Sequence, residues 1–416
     1  MTNSRGVEGV AANPLGWKLR YGDGATLHLD LPTAASVADC TRPRGEVLDD
    51  PVAAVQAAVA DPLGFPPLKS AIVPGDRIVI ALGDGLPRKS ELVAGIVQTL
   101  LRDIPEVASI SVLLPDSGSA MSDGLSDDVR ARIDISAHDP EESEALSYLA
   151  ASREGKPIYF NKKICDADFV VPVTTLRLEQ TLGYYGIHGG LFPSFSDSAT
   201  RERFRAPSAV DWAAHQRRRR EEVDEAAWLL GIQFTIQVVP GPGESILQVL
   251  AGGNDKVTER GQAIGRSAWQ HTAPGPAQLV IAAIEGGPEQ QTWENFARAL
   301  YVATQAVADG GAIVLCTQMR CRPGPSLMRL TSGADDFQML REIRRDRSAD
   351  ALSATLIVEA KQRARVYLLS DLETDFVEDL GIGHVDGEED LGRLSIQYDN
   401  CMLLGNAQHA SVITSP

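Results

Sequence analysis

Cysteine is scarce in this chain, with five residues scattered at 40, 165, 316, 321 and 401. An odd, unpatterned set excludes a fully paired disulfide framework and points to a reducing cytoplasm. Cys316 and Cys321 stand apart from other ligand types, so they do not suggest a four-ligand zinc site. No apolar run approaches the ~18 residues that would suggest a membrane span. The opening MTNSRGVEGVAANPLGW lacks a basic start before an apolar core, so it does not read as a signal peptide. A Gly-x-x-x-x-Gly-Lys-Ser/Thr loop for a nucleoside triphosphate is also missing. Positive charge is in deficit: 39 Lys and Arg face 56 Asp and Glu, for a net charge of −17. An acidic surface repels nucleic acid and anionic membrane, although a local cationic clamp can still hold a small anion. No internal repeat or low-complexity segment is evident.

What is present is the composition of a globular protein, 44% hydrophobic and 23% charged, in a chain long enough for two or three domains. WKLRYGDGATLHLDLP predicts a hairpin turning at Gly22-Asp23-Gly24. A helix is predicted from Asp50 to Ala60, with Pro51 in its first turn. DRIVIALGD (76–84), SELVAGIVQTLLRDI (90–104, N-capped by Ser90) and SISVLLPD (109–116) alternate as strand, helix and strand. That order predicts an α/β unit with a mostly parallel sheet. ARIDISAHD predicts another strand, and PEESEALSYLAAS a helix with Glu141, Glu142 and Glu144 at its positive end. KPIYFNKKI and DADFVVPVTTL add strands. DWAAHQRRRREEVDEAAWLLG (211–231) predicts an amphipathic helix, and its Arg217 to Arg220 run reads as a solvated face paired with the following acids. QFTIQVVPGPGESILQVLAGG predicts a second hairpin. A boundary near HTAPGPAQ divides residues 1–270 from 271–416. The second part again alternates: LVIAAIEGG as strand, TWENFARALYVATQAVADGG as helix, then strands at AIVLCTQ, ARVYLLSDL and NCMLLGN. The fold class expected is two α/β domains with mostly parallel sheets and an interdomain cleft.

The stretch from Ser136 to Asp197 holds Ala-His-Asp-Pro after a strand and a glycine-rich loop, GYYGIHGGLFPSF. With LRYGDGATLHLDLP, GDRIVIALGDGLPRKSELVAGIVQTLL and EGGPEQQTWENFARAL, this layout resembles the nickel-pincer-dependent lactate racemase family over nearly the whole chain. The resemblance implies an isomerase, a racemase or epimerase acting on a 2-hydroxy acid or sugar acid. A histidine would take the hydroxyl proton while a nickel-pincer nucleotide takes hydride. It carries catalytic roles to His138 and His188, and cofactor contacts to Asp84, Arg88, Gly183 and Gly186. Nickel ligation goes to Glu179, where the family has histidine. Substrate contacts go to Asn295 and Arg298, although Arg298 also suits a plain i,i+4 pair with Glu294. Asp84 matches the first residue of the family's Asp-x-Thr-Arg-Pro loop, and the arginine position falls on Pro87, one step before Arg88. The literal copy at Asp39 to Pro43 lies ahead of the helix and strand that should precede it and reads as chance. The family's second catalytic histidine has no counterpart in LLPDSGSAMSD, where Asp116, Ser117, Ser119 and Asp123 are weighed as polar substitutes. Its attachment lysine is missing as well, Lys156 being the nearest. The alternative is therefore a binding or regulatory homologue that keeps the fold without the reaction.

Overall fold

In the computed structural model, the described residues are 16–31, 35–116, 121, 124–206, 212–332, 336–346 and 348–414. Ser117, Ser119 and Asp123, weighed above as substitutes for the second histidine, lie outside them. The chain opens with a hairpin, β1 (Trp17–Tyr21) and β2 (Ala25–Leu29), in the register Trp17 opposite Leu29. β3 (Ser36–Cys40) follows.

The next stretch builds a compact unit from Pro43–Trp269, with Arg341–Leu352 added. Its first helix, Pro51–Ala60, starts where the Asp50 carboxylate accepts from Ala53 N at 2.9 Å, with Pro51 pre-set for the first turn. β4 (Arg77–Leu82) is buried from Ile78 to Leu82, as a run apolar on both faces requires. Helix Lys89–Asp103 follows, then β5 (Ser109–Leu114) and β6 (Asp134–Ala137). β7 (Leu146–Ala151) and β8 (Pro157–Asn161) form a separate two-stranded sheet. β9 (Phe169–Thr175), β10 (Phe234–Pro240) and β11 (Ile246–Gly253) complete the main one. Its order is β11-β10-β9-β4-β5-β6, parallel except for the β10–β11 hairpin. The chain thus starts in the middle at β4, winds outward to β6, and returns to the other side of β4 at β9. The β4/β9 junction is a topological switch point, the position where doubly wound sheets offer a crevice.

Gly95 lets the two helices behind this sheet meet. A Cβ there would stand 2.2 Å from Val55 Cγ1 and 2.9 Å from Val52 O. Gly95→Ala should cost about 1–3 kcal/mol through this overpacking, read as a lower urea midpoint. An unchanged midpoint would show that the helices have room to part.

The other unit comprises Met1–Arg42, Gln270–Leu340 and Ser353–Pro416. β12 (Gln270–Ala273) is followed by β13 (Ala277–Ala283), helix Trp293–Ala306 and β14 (Val307–Cys316). Then come β15 (Arg365–Leu369), β16 (Gly383–His384), β17 (Asn400–Leu404) and β18 (Ser411–Thr414). The sheet order is β16-β15-β14-β13-β17-β3, all parallel, while β12 pairs with β18. The two α/β units with mainly parallel six-stranded sheets are the expected fold class.

Several local expectations are corrected. The boundary at 270 left the first segment in the N-terminal part, whereas β3 pairs with β17, Ser36 opposite Asn400, and so places it in the C-terminal unit. The helix expected after His138 is instead a single 3-10 turn, Ser143–Ala145, leading into β7. Asp139 Oδ1 accepts from Glu141 N at 2.9 Å, turning the chain, and Tyr148 then pairs across with Tyr159 at 5.7 Å between rings. Cross-strand pairing outweighs the helix propensity there. Helix Lys89–Asp103 begins one residue before Ser90, with Arg88 at its N-cap in the left-handed region (φ 51°). The long helix of the second unit ends at Ala306, ahead of the Gly310-Gly311 pair expected to close it, because Val307 already pairs with Ala277. No helix among the described residues is long and apolar enough to cross a membrane.

Candidate functional site

The switch point of the N-terminal unit is built by two strand ends and one loop. Gly83 N donates to Val173 O at 2.8 Å, extending the β4–β9 ladder past Leu82. Gly190 lies against this end: a Cβ on it would stand 2.9 Å from Thr174 Cγ2 and 3.3 Å from Gly83 Cα. Two glycines facing each other let the loop seat directly on the strands. Gly183 (φ 76°) and Gly186 (φ 85°) supply left-handed turns in the same loop. Gln216 Oε1 holds it by accepting from Gly183 N at 2.8 Å and Tyr184 N at 3.1 Å.

The crevice left beneath the loop is small, about 20 Å³, and includes Asp84, Thr174, Gly183, Gly186 and Gln237 in its lining. Thr174 Oγ1 and Gln237 Oε1 are buried there without a hydrogen-bond partner. The volume and the two polar atoms suit one water rather than a substrate. Asp84 is exposed, with Ser194 Oγ 3.5 Å from its Oδ2. Arg88 turns away to pair with Glu91, and that hydrogen bond raises its pKa. The literal Asp-x-Thr-Arg-Pro copy lies at the end of β3, where Asp39 Oδ1 accepts from Thr41 N at 3.0 Å and Thr41 Oγ1 at 2.6 Å.

The larger opening lies on the other side of the glycine loop. A cleft of about 600 Å³ has Tyr184, Gly186 and His188 along one wall. Asp224 and Trp228, one helical turn apart on helix Trp212–Leu229, line it from a second direction. Asp255, in the first turn of helix Asn254–Trp269, lines it from a third. His188 is buried at 6% exposure, and its Nδ1 has no hydrogen-bond partner. Burial drives its pKa down to about 4, with Asp255 pulling weakly the other way. Burial raises the Asp224 carboxyl; Arg220 opposes that rise and Asp255 adds to it. Glu179, also on the rim, lies 4.0 Å from Arg220. The Arg217 to Arg220 run is thus more than a solvated face: the Arg219 guanidinium lies 4.6 Å from the Phe204 ring and is largely buried.

His138 is placed differently. It is 2% exposed and both ring nitrogens are engaged. Nε2 lies 2.8 Å from the Ser196 carbonyl and Nδ1 lies 3.1 Å from Asn161 Nδ2. A carbonyl only accepts and an amide nitrogen only donates, so the ring is neutral with its proton on Nε2. Burial lowers its pKa. Lys156 pairs with Glu154 at 2.6 Å. In the other unit, Arg298 Nη1 donates to Asn295 Oδ1 at 2.6 Å and Nη2 pairs with Glu294. Asn295 Nδ2 in turn donates to the Gln290 carbonyl at 2.9 Å. The i,i+4 pairing weighed for Arg298 is the one observed.

Among the residues assigned from sequence, the fold gathers Asp84, Gly183 and Gly186 at the small crevice, and Glu179, Gly186 and His188 at the cleft. His138, Asn295 and Arg298 belong to neither lining. Asp224, Asp255, Thr174 and Gln237 were missed. Asp255 after Gly252-Gly253 at a helix start was the one local signal for them.

These residues fit a nickel-pincer nucleotide poorly. Its assigned protein ligand, Glu179, is already beside Arg220. A phosphate-bearing cofactor would also meet Asp224 and Asp255 in the same cleft. No group of three His, Cys, Asp or Glu able to hold a metal ion occurs among the described residues.

By fold, the chain is a two-unit α/β protein whose N-terminal sheet carries a glycine loop over its switch point. Residues 21–206 match the family model for the lactate racemase N-terminal domain. Within that stretch the chain carries the pattern of a lactate racemase N-terminal domain. It is similar to the lactate racemase apoprotein of Thermoanaerobacterium thermosaccharolyticum, with 17% identity and a TM-score of 0.80 over 95% of this chain and 99% of that one. A Thermotoga maritima protein solved by structural genomics superposes with a TM-score of 0.65 at 13% identity, over 89% of this chain and all of the other. At these identities the likeness speaks to fold. No curated protein sequence matches the chain.

Proposed function

We propose that this chain is a small-molecule-binding homologue within the lactate racemase family and does not carry out two-histidine racemisation. The observation that carries this reading is the His138 ring, whose nitrogens are both spent on Ser196 and Asn161. A base must present a lone pair to the proton that it removes, and here Nδ1 faces an amide donor. The ligand would sit in the 600 Å³ cleft beside the glycine loop, a volume in the usual range for small-molecule sites. A cytoplasmic setting accords with five scattered thiols.

The test is co-expression with nickel-pincer synthesis proteins, followed by metal analysis and chiral chromatography of D- and L-lactate. Nickel well below one per chain and no interconversion are expected. Stoichiometric nickel with lactate racemisation that disappears in His138→Ala would overturn the reading. A second reading, one-base epimerisation of a different 2-hydroxy acid or sugar acid, draws support from the unpartnered Nδ1 of His188. Under it, turnover found with such an acid should be lost in His188→Ala.

A further inference from the structure

We infer that His138 is a proton-released latch: its neutral ring pins the exit of the glycine loop to β8, and protonation unpins it. Such a latch would act whether or not the cleft holds a ligand. The ring stands where three separate stretches of chain meet. It follows the end of β6, where His138 N donates to Leu114 O at 2.9 Å. Its Nε2 donates to the Ser196 carbonyl at 2.8 Å, and its Nδ1 accepts from Asn161 Nδ2 at 3.1 Å. Asn161 closes β8, and Ser196 lies a few residues beyond the glycine loop. Two further bonds cross the same junction. Asn161 N donates to Phe195 O at 2.8 Å, and Ser196 Oγ donates to Tyr159 O at 2.8 Å. The segment held in this way carries Ser194, whose Oγ lies 3.5 Å from Asp84 Oδ2 at the switch point.

A charged ring does not fit this junction. Imidazolium carries N–H on both nitrogens, so Nδ1–H would face the Asn161 amide donor. Asn161 cannot answer by turning over. Its Oδ1 caps helix Lys162–Asp166 by accepting from Lys163 N at 3.0 Å, and a flipped amide would set a donor against that N–H. Either way two donors oppose each other where both side chains are buried, and burial makes such a pair costly. Charged groups act on the ring from both sides. Asp139 next to it and Asp197 beside Ser196 favour the proton, whereas Arg201 in helix Ser198–Arg205 opposes it. Both carboxylates are already engaged: Asp139 accepts from Glu141 N, and Asp197 from Thr200 N and Ser196 Oγ. The Lys163 ammonium is turned to Asp134 at 2.6 Å. Burial is the largest influence and holds the ring below its ordinary 6.5, while the Ser196 bond and the two acids pull the other way. A released ring regains the ordinary value. Below pH 6.5 the open form therefore takes up the proton first, and opening grows as pH falls.

The experiment is hydrogen exchange of the full chain at pH 7.5 and 5.5, read by mass spectrometry on peptides spanning 158–166 and 191–198 and corrected for intrinsic rates. One proton per opening allows at most about a tenfold rise per pH unit, so a rise of about three- to tenfold is expected in both peptides. His138→Gln keeps a donor for the Ser196 carbonyl but takes up no proton, and should abolish the rise. Asn161→Asp puts a carboxylate where the amide donor stood, able to accept from both Nδ1–H and Lys163 N. It should hold the charged ring in place and likewise remove the rise. Long-range proton–nitrogen NMR of the ring should show the proton on Nε2 alone in the native chain at pH 7.5, and on both nitrogens in Asn161→Asp. No rise in the native chain, a rise that persists in either variant, or a native ring with its proton on Nδ1 would each overturn the latch. Circular dichroism checks that each variant is folded, and the native ring's NMR decides the matter if Asn161→Asp is not.

Discussion

Phe192→Ala should lower the stability of the N-terminal unit by about 3–5 kcal/mol, the usual cost of emptying a large buried aromatic site. Phe192 is fully buried, with ring centroids 5.4 Å from Phe160 and 5.5 Å from Phe204. It also receives the chain from the glycine loop: Leu191 N and Phe192 N both donate to the His188 carbonyl, at 2.8 and 3.0 Å. The substitution therefore removes packing and loosens the segment that presents His188. Urea unfolding at neutral pH measures the loss. Trp228→Ala, on the exposed rim, should cost under about 0.5 kcal/mol and serves as the contrast. A loss below about 1.5 kcal/mol for Phe192→Ala would mean that the aromatic cluster closes over the gap.

The second large effect is acid sensitivity between pH 6.5 and 4. Burial lowers the His188 pKa from 6.5 to about 4, so the folded state prefers the neutral ring. As pH falls through 6.5 the unfolded chain takes up the proton first. Stability then declines until the folded ring also titrates near 4, where the loss levels off. A shift of that size corresponds to roughly 3 kcal/mol. His215, half-buried and also lowered to about 4 by burial with help from Arg219 and Arg218, acts in the same window. His138, lowered by burial, acts in the same direction. His188→Gln should remove its own share of the slope, read as stability at pH 7.5, 6.0, 5.0 and 4.5. An unchanged slope would place the ring in contact with water.

Much of the fold was legible because the parallel strands are written as continuous apolar runs. RIVIAL and FVVPVTT are recognisable without knowledge of their neighbours. Residues 141–151 misled because their acids and alanines favour a helix locally, while β8 offers a partner that composition does not reveal. The site was less legible for the same reason. His138 attracts notice as a histidine after a strand, but its role depends on Asn161 and Ser196 further along the chain. His188 was visible in its loop, whereas Asp224 and Asp255 reach the cleft from two separate helices. Neither aspartate stands out among 56 acidic residues until the fold brings the two to one place.

The pairing of β3 with β17 also bears on how the protein is made. On the ribosome, every strand of the β4-to-β11 sheet is available once Gly253 has emerged, so that sheet can form early. β3 is synthesised before all of them, yet its partner, Asn400–Leu404, comes near the end of translation. Until then this edge segment has no ladder to join. The second sheet is therefore the natural place for a slow, late folding phase, since long-range parallel pairing must wait for loop closure.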